Sequence, residues 1–268
     1  MSGFRDIVVD ACPRPGLLRT LERARDIGRT FNAKLSVRAC AWPRTSLTQA
    51  FAPNGLLAQA QTRLMDDALA VSRSEFEKVF GAGDDMAEWR AEISEPSAAM
   101  HAQLLTADLM ITDSSEEDTC VPPNPARAAL DAGIPVLRLG QNPVPNELSR
   151  VVVAWKDSPQ ARRAVHAALP ILAKADRVAV VGVGDDVAED RLEAVTAHLR
   201  CHEVKAHHRH VPATGGDVFW ALIGQAQHEE AGLMVTGLYS RGLLTEKIFG
   251  GVTADLLKNA GVSWFAAH

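Results

Sequence analysis

The sequence lacks the features that mark several large classes of protein. It has only four cysteines in 268 residues, and none of them forms a Cys-x-x-Cys pair. Such spacing excludes a disulfide-stapled small domain and the common zinc modules. No apolar run approaches the roughly 20 residues that span a bilayer. These absences predict reduced, mostly buried thiols, no membrane partner and a cytoplasmic location.

Clusters of positive charge are also absent. The 28 lysines and arginines are scattered among 33 acidic residues, and the formal net charge is −5. A protein that tracks phosphates along a nucleic acid needs a basic patch, so nucleic acid is excluded as a partner. The chain also contains no Gly-x-Ser-x-Gly elbow and no His-Glu-x-x-His motif. We therefore expect no catalytic residues, and we predict that the protein is not an enzyme.

An internal repeat organises the chain. Three segments of the first half of the chain recur, in the same order, in the second half. A repeat of that kind indicates two copies of one fold. The paired segments are 7–9 with 151–153, 107–113 with 231–237, and 131–137 with 259–265. The first copy is longer between its second and third strands, where an amphipathic stretch at 56–80 predicts an additional long helix.

Each copy alternates short β-branched runs with helical patterns. That alternation predicts an α/β fold of two tandem domains, each a five-stranded parallel sheet with helices on both faces, as in Rossmann-like nucleotide-binding proteins. The segment 140–149 is rich in turn formers and poor in core residues, which predicts a linker. The predicted domains are residues 1–142 and 149–268.

Ligands of open parallel sheets bind beyond the carboxyl ends of the strands. In the second copy, Gly250 and Gly251 stand directly before a helical pattern, where free amides and the helix dipole favour an anion. In the first copy the equivalent loop, 113–118, carries four carboxylates, and prolines in 121–125 remove backbone donors. The first copy is therefore predicted to bind no nucleotide.

The glycine spacing in the second copy resembles the ATP-binding loop of universal stress proteins. That loop reads glycine, two residues, glycine, nine residues, glycine and then a small hydroxyl residue. The pattern begins at Gly237 and reaches Gly250, but Ser240 replaces the second glycine and Gly251 replaces the hydroxyl residue. The aspartate that the family places beside the adenine aligns with Lys156, or with Asp157 if the turn is shifted by one residue.

The resemblance implies a non-enzymatic stress-response protein that binds ATP or another adenine nucleotide in the second domain only. It implies nine binding residues, the first six at the phosphates and the last three beside the base: Gly237, Ser240, Gly250, Gly251, Val252, Thr253, Ala154, Trp155 and Val183. It also implies that 134–139 pairs with 262–267, and it allows a homodimer. The alternative is an interaction module whose nucleotide pockets have decayed and which acts through protein contacts. A nucleotide-dependent enzyme of related fold would need a cation at the phosphates, for which Arg241 and Lys247 are the nearby candidates.

Histidines are concentrated in residues 198–210. Alternation along a strand would place His208 and His210 on one face, with His202 nearby. Imidazole is a zinc ligand, so a metal site is one interpretation, and a solvated edge strand is the other. Since no fourth ligand is evident, we predict no metal.

Overall fold

The computed structural model describes residues 3–43, 56–81, 84–113, 120–212, 218–238 and 261–268, with the side chains of the second helix described from residue 59 onward. The chain divides into two compact units, Gly3–Ile134 and Pro135–His268. No helix among the described residues is long and apolar enough to cross a membrane.

The described residues of the first unit form a parallel sheet with four α-helices. Its strands lie in the order β3-β2-β1-β4, and every described pairing among them is parallel. The strands are β1 (Asp6–Asp10), β2 (Lys34–Ala41), β3 (Ala87–Ile93) and β4 (Leu109–Asp113). The helices are α1 (Leu17–Phe31), α2 (Leu56–Phe80), α3 (Pro96–Gln103) and α4 (Pro125–Ala132). The long amphipathic stretch of the sequence is therefore α2, as predicted.

The second unit contains a five-stranded parallel sheet in the order β10-β9-β6-β7-β8. A further strand, β5, pairs antiparallel with β10. The strands are β5 (Val136–Leu139), β6 (Arg150–Ala154), β7 (Arg177–Val183), β8 (Ala206–Val211), β9 (Leu233–Gly237) and β10 (Ser263–Ala267). The described helices are α5 (Pro159–Leu172), α6 (Glu189–Cys201) and α7 (Val218–His228).

The central strands form because their side chains are apolar on both faces, as strands covered by helices require. In β6 and β9 the valine, leucine and methionine side chains are all buried. The helices present apolar stripes to the sheet; in α1 the stripe runs from Leu17 through Leu21 to Phe31. Ser158 caps α5, and Pro159 occupies its first turn, where the missing amide hydrogen costs no hydrogen bond.

The predicted pairing of the last strands is confirmed. Trp264 lies opposite Arg138, and Phe265 lies opposite Leu137. The sequence counted β5 with the first domain, within residues 1–142. The compact second unit begins at Pro135 and therefore includes β5; the predicted bounds of the two domains stay a prediction.

Candidate functional site

The carboxyl ends of β7, β6 and β9 form one corner of the second unit. The strand order reverses between β6 and β9, and this is the kind of switch point at which open α/β sheets bind ligands. Ala154 and Gly237 are the last residues of β6 and β9, and Val183 ends β7. The structure thus brings together three of the residues predicted to line the nucleotide site. All three are partly exposed.

Gly237 is required at this corner by the close approach of α5. A Cβ atom on Gly237 would lie 2.5 Å from the carbonyl carbon of Gln160 and 2.6 Å from the amide nitrogen of Ala161. No side chain fits at such distances from a rigid backbone. The first turn of α5 therefore rests on the end of β9, and the positive end of the helix dipole lies at this corner.

The other predicted phosphate ligands lie outside the described residues. They are Ser240, Gly250, Gly251, Val252 and Thr253. Arg241 and Lys247 lie outside them as well.

Trp155 differs from its neighbours because it is buried rather than open to the corner. Its amide donates to the carbonyl of Val181, 2.8 Å away, which continues the β6–β7 ladder by one residue. Its side chain is 7% exposed and lines a groove between α5 and α6. For its predicted role beside the base, the Trp155 ring would have to contact a ligand at the nucleotide corner as well as line this groove.

Neither candidate for the adenine aspartate offers a free carboxylate at the corner. Lys156 carries an ammonium group, which lies 3.6 Å from the carboxylate of Asp186. Asp157 is ion-paired with Arg162 and lies 3.8 Å from Arg191. A base bound at this corner would lack the carboxylate contact that the family resemblance implies.

The equivalent corner of the first unit is closed by a buried ion network. Arg14 lies between the ends of β1 and β4, 3.2 Å from the carboxylate of Asp10 and 2.7 Å from that of Asp113. Its guanidinium also donates to the backbone carbonyls of Cys12 and Asp10. Thr112 donates to Asp10 at 2.7 Å. The chain's own cation therefore fills the place where a ligand of this unit would enter.

The charges of this network are matched inside the protein. Arg14 is 8% exposed and Asp10 is 1% exposed. Burial by itself would lower the pKa of Arg14, but the charges of Asp10 and Asp113 raise it above its ordinary value. The guanidinium stays charged, and it neutralises carboxylates that would be costly to bury alone.

The three members of this network have small counterparts in the second copy. The repeat aligns Asp10 with Ala154, Arg14 with Ser158, and Asp113 with Gly237. The sequence alone did not reveal this contrast, because an arginine four residues after a strand carries no signal unless the neighbouring strand end is known. The corner is filled by ions in one unit, and it is lined by small residues in the other.

The last helix of the first unit also offers few free amides. Asn124 caps α4 by accepting a hydrogen bond from the amide of Arg127, and Pro125 occupies the first helical position. Residues 114–119, which hold most of the acidic loop, lie outside the described residues. Side-chain capping and proline leave little of this helix start for an anion.

Two thiols that are distant in the sequence meet in the first unit. Cys12 and Cys40 are both buried. The hydrogen bond between their side chains raises the pKa of Cys12, and it lowers the pKa of Cys40. The prediction of mostly buried thiols is confirmed for these two and for Cys120, whereas Cys201 is exposed.

His208 and His210 share one face of β8, as the alternation along the strand predicts, and His207 lies on the other face. His208 lies 2.9 Å from Glu189, and His210 lies 3.0 Å from the carbonyl of Gly184. The ring of His202 instead lies edge-to-face with that of His198 at the end of α6. Among the described residues, no group of three or more histidine, cysteine or acidic side chains is arranged to hold a metal ion.

On the other face of β8, a buried carboxylate contacts two arginines and one imidazole. Glu229 lies 2.7 Å from Arg209, 3.2 Å from Arg177 and 3.3 Å from the imidazole of His207. Burial would raise the pKa of Glu229, but the hydrogen bond and charge of His207, together with both arginines, outweigh burial and lower it. This network ties β7 and β8 to the end of α7.

Comparisons with solved structures identify the architecture. The chain is similar to a universal stress protein from Archaeoglobus fulgidus DSM 4304, with a TM-score of 0.70 and 16% identity over 97% of this chain and 95% of that one. It is also similar to a protein from Pseudomonas aeruginosa UCBPP-PA14 that is provisionally named a universal stress protein. The TM-score is 0.58, with 16% identity over 99% of this chain and 94% of that one. The cytoplasmic domain of a prokaryotic cation chloride cotransporter matches as well, with a TM-score of 0.51 and 13% identity over 98% and 94%.

No protein-family model matches the sequence. A comparison with curated proteins finds no match either. The structural likeness covers nearly the whole chain, and it establishes the fold: two tandem α/β units of the universal stress protein type. The fold expected from the sequence resemblance is confirmed.

Proposed function

We propose that this chain is a non-enzymatic stress-response protein of the universal stress protein type, acting in the cytoplasm, whose second unit binds ATP or another adenine nucleotide. The observation that carries the proposal is the contrast between the two corners. Arg14 and its two carboxylates fill the first, whereas Ala154, Ser158 and Gly237 leave the second lined by small residues. The glycine pattern that continues from Gly237 to Gly250 supports phosphate binding there.

The phosphates would contribute most of the affinity. Amides at the start of a helix bind an anion without any charged side chain, and Gly250 and Gly251 stand directly before the last helical pattern of the sequence. The base would contribute less, because Lys156 and Asp157 are engaged with other residues. We therefore expect ATP and GTP to bind with affinities within about tenfold of each other, since strong discrimination needs polar groups that are left unpaired by the wrong base.

Isothermal titration of the full chain with ATP tests the proposal. We expect one ATP per chain and no release of phosphate during the titration. Gly250→Asp should abolish the heat, because the new carboxylate repels the phosphates. Gly224→Asp is the matched control: it introduces the same charge at an exposed glycine of α7, outside the glycine pattern, so it should leave binding within about threefold of the parent. An equal heat of binding in Gly250→Asp would refute the assignment.

The second candidate is an interaction module with decayed pockets. The same fold forms the cytoplasmic domain of a cotransporter, so the fold alone does not define the ligand. Two apolar side chains, Leu105 and Trp220, are exposed to 87% and 61%, and such residues are common in contact surfaces. Absence of any heat with ATP and GTP would favour this candidate.

A further inference from the structure

A groove lies between α5 and α6 of the second unit, and Trp155, which the family resemblance places beside the base, lines it. Its volume is about 270 Å³. Pockets for drug-sized ligands range from about 300 to 1,000 Å³, so this groove suits a single-ring compound rather than a whole nucleotide. Valine and alanine side chains line its middle, and charged or polar side chains line the rest.

Two guanidinium groups converge at one end of the groove. Arg162 is ion-paired with Asp157, and Arg191 lies 3.8 Å from the same carboxylate. Two positive charges thus share one negative charge, which leaves an excess of positive charge on a chain whose net charge is −5. Both arginines are more than half exposed, so their remaining donors are available to a ligand.

Two imidazoles line the groove as well. The ring centroids of His166 and His198 lie 5.3 Å apart in an edge-to-face arrangement. Burial and the neighbouring imidazoles of His202 and His166 lower the pKa of His198. No carboxylate pairs with these rings among the residues that the structure describes. An anion in the groove would raise the pKa of His198, because a nearby negative charge favours the protonated ring.

Trp155 gives an independent indication of a ligand. Its side chain lines the groove and is 7% exposed. Its indole nitrogen is buried, and within the described part of the chain it has no hydrogen-bond partner. Buried indole N–H groups usually find an acceptor, so an orphan beside a cationic groove points to an acceptor that comes from outside the chain.

We propose that the groove between α5 and α6 binds a small organic anion, a planar ring compound that carries a phosphate or carboxylate group. The anionic group lies between Arg162 and Arg191, where guanidinium donors match its oxygens. The ring packs on Val165 in the apolar middle of the groove. This site takes a different ligand from the nucleotide corner, and it does not depend on ATP binding.

Titration by nuclear magnetic resonance with three related probes tests the proposal. Phenyl phosphate and benzoate supply the two anionic groups, and benzamide is the uncharged analogue of the same shape. The indole N–H signal of Trp155, assigned with the variant Trp155→Phe, and the ring signals of His198 report on the groove. We expect saturable shifts of both sets of signals with at least one of the anions, and the better anion identifies the preferred group.

The variant Arg162→Gln plus Arg191→Gln should weaken binding at least about tenfold, which corresponds to about 1.4 kcal/mol. Arg163→Gln is the matched control, because Arg163 is an exposed arginine of α5 that does not line the groove. It should change the affinity less than about twofold. If the double variant loses its dispersed amide spectrum, the single variant Arg191→Gln replaces it.

Three results would overturn the proposal: no shift at Trp155 and His198 with either anion, equal binding of benzamide, or unchanged binding in the arginine variants. None of these results bears on ATP binding, which is read separately with Gly250→Asp. Conversely, failure of ATP to bind leaves the groove titration unaffected. The two sites can therefore be accepted or rejected one at a time.

Discussion

Replacing Arg14 with methionine should destabilise the first unit strongly. The substitution keeps much of the apolar stem but removes the charge that lies between Asp10 and Asp113. Asp10 is almost fully buried, so its carboxylate would remain without a partner cation in a medium that disfavours charge. Breaking a buried pair in this way costs about 3–5 kcal/mol. At roughly 2–4 °C per kcal/mol, the midpoint of thermal unfolding should fall by about 10 °C.

Urea denaturation followed by circular dichroism measures this loss, with separate transitions fitted if the two units unfold independently. Arg127→Met is the control, because Arg127 forms an exposed ion pair with Asp131 in the same unit. Exposed pairs of this kind contribute less than about 1 kcal/mol. Adding Asp10→Asn and Asp113→Asn to Arg14→Met should recover part of the loss, since no buried carboxylate then lacks a cation. A loss for Arg14→Met no larger than that for Arg127→Met would refute the network as a source of stability.

Three further predictions concern the second unit. Glu229→Gln should lower the free energy of unfolding by about 1–3 kcal/mol. Because folding lowers the pKa of Glu229 from 4.5, this loss should be complete above pH 4.5 and should vanish as the pH falls through the lower folded value. Urea titrations across pH 3 to 7 would show this dependence, and a constant difference between the two proteins would contradict it. Gly237→Ala should destabilise the protein by at least about 1 kcal/mol, because its methyl group would overlap the backbone of Gln160, and a neutral effect on the urea midpoint would rule out that packing. His198 should titrate below 6.5 when its ring signals are followed by nuclear magnetic resonance, and a midpoint at or above 6.5 would contradict the clustering of imidazoles around it.

Much of the fold could be predicted from the sequence because its signals are local. The β-branched runs of β6 and β9 are buried on both faces, so they read as central parallel strands. The helix α2 has the bounds that its periodicity gave. The order of the repeated segments then fixed which elements correspond, and the pairing of β5 with β10 followed from the family resemblance.

The features that could not be predicted depend on side chains that meet only in three dimensions. Arg14 and Asp113 are almost a hundred residues apart, and only the pairing of β1 with β4 brings them together. The side chain of Asp157 points to Arg162 rather than to a base, and nothing in the turn sequence reveals that choice. Likewise, nothing in the sequence around Trp155 shows that its ring is buried beside the groove between α5 and α6.

The central claim is that one corner of this two-unit chain is closed by Arg14 and that the other is open to a nucleotide. Native mass spectrometry of the intact protein with increasing ATP counts the bound molecules directly. The account predicts a single adduct per chain, carried by the parent and by Arg127→Met and lost in Gly250→Asp. Two adducts per parent chain, or one that survives in Gly250→Asp, would show that ATP binds outside the predicted phosphate loop and would contradict the account.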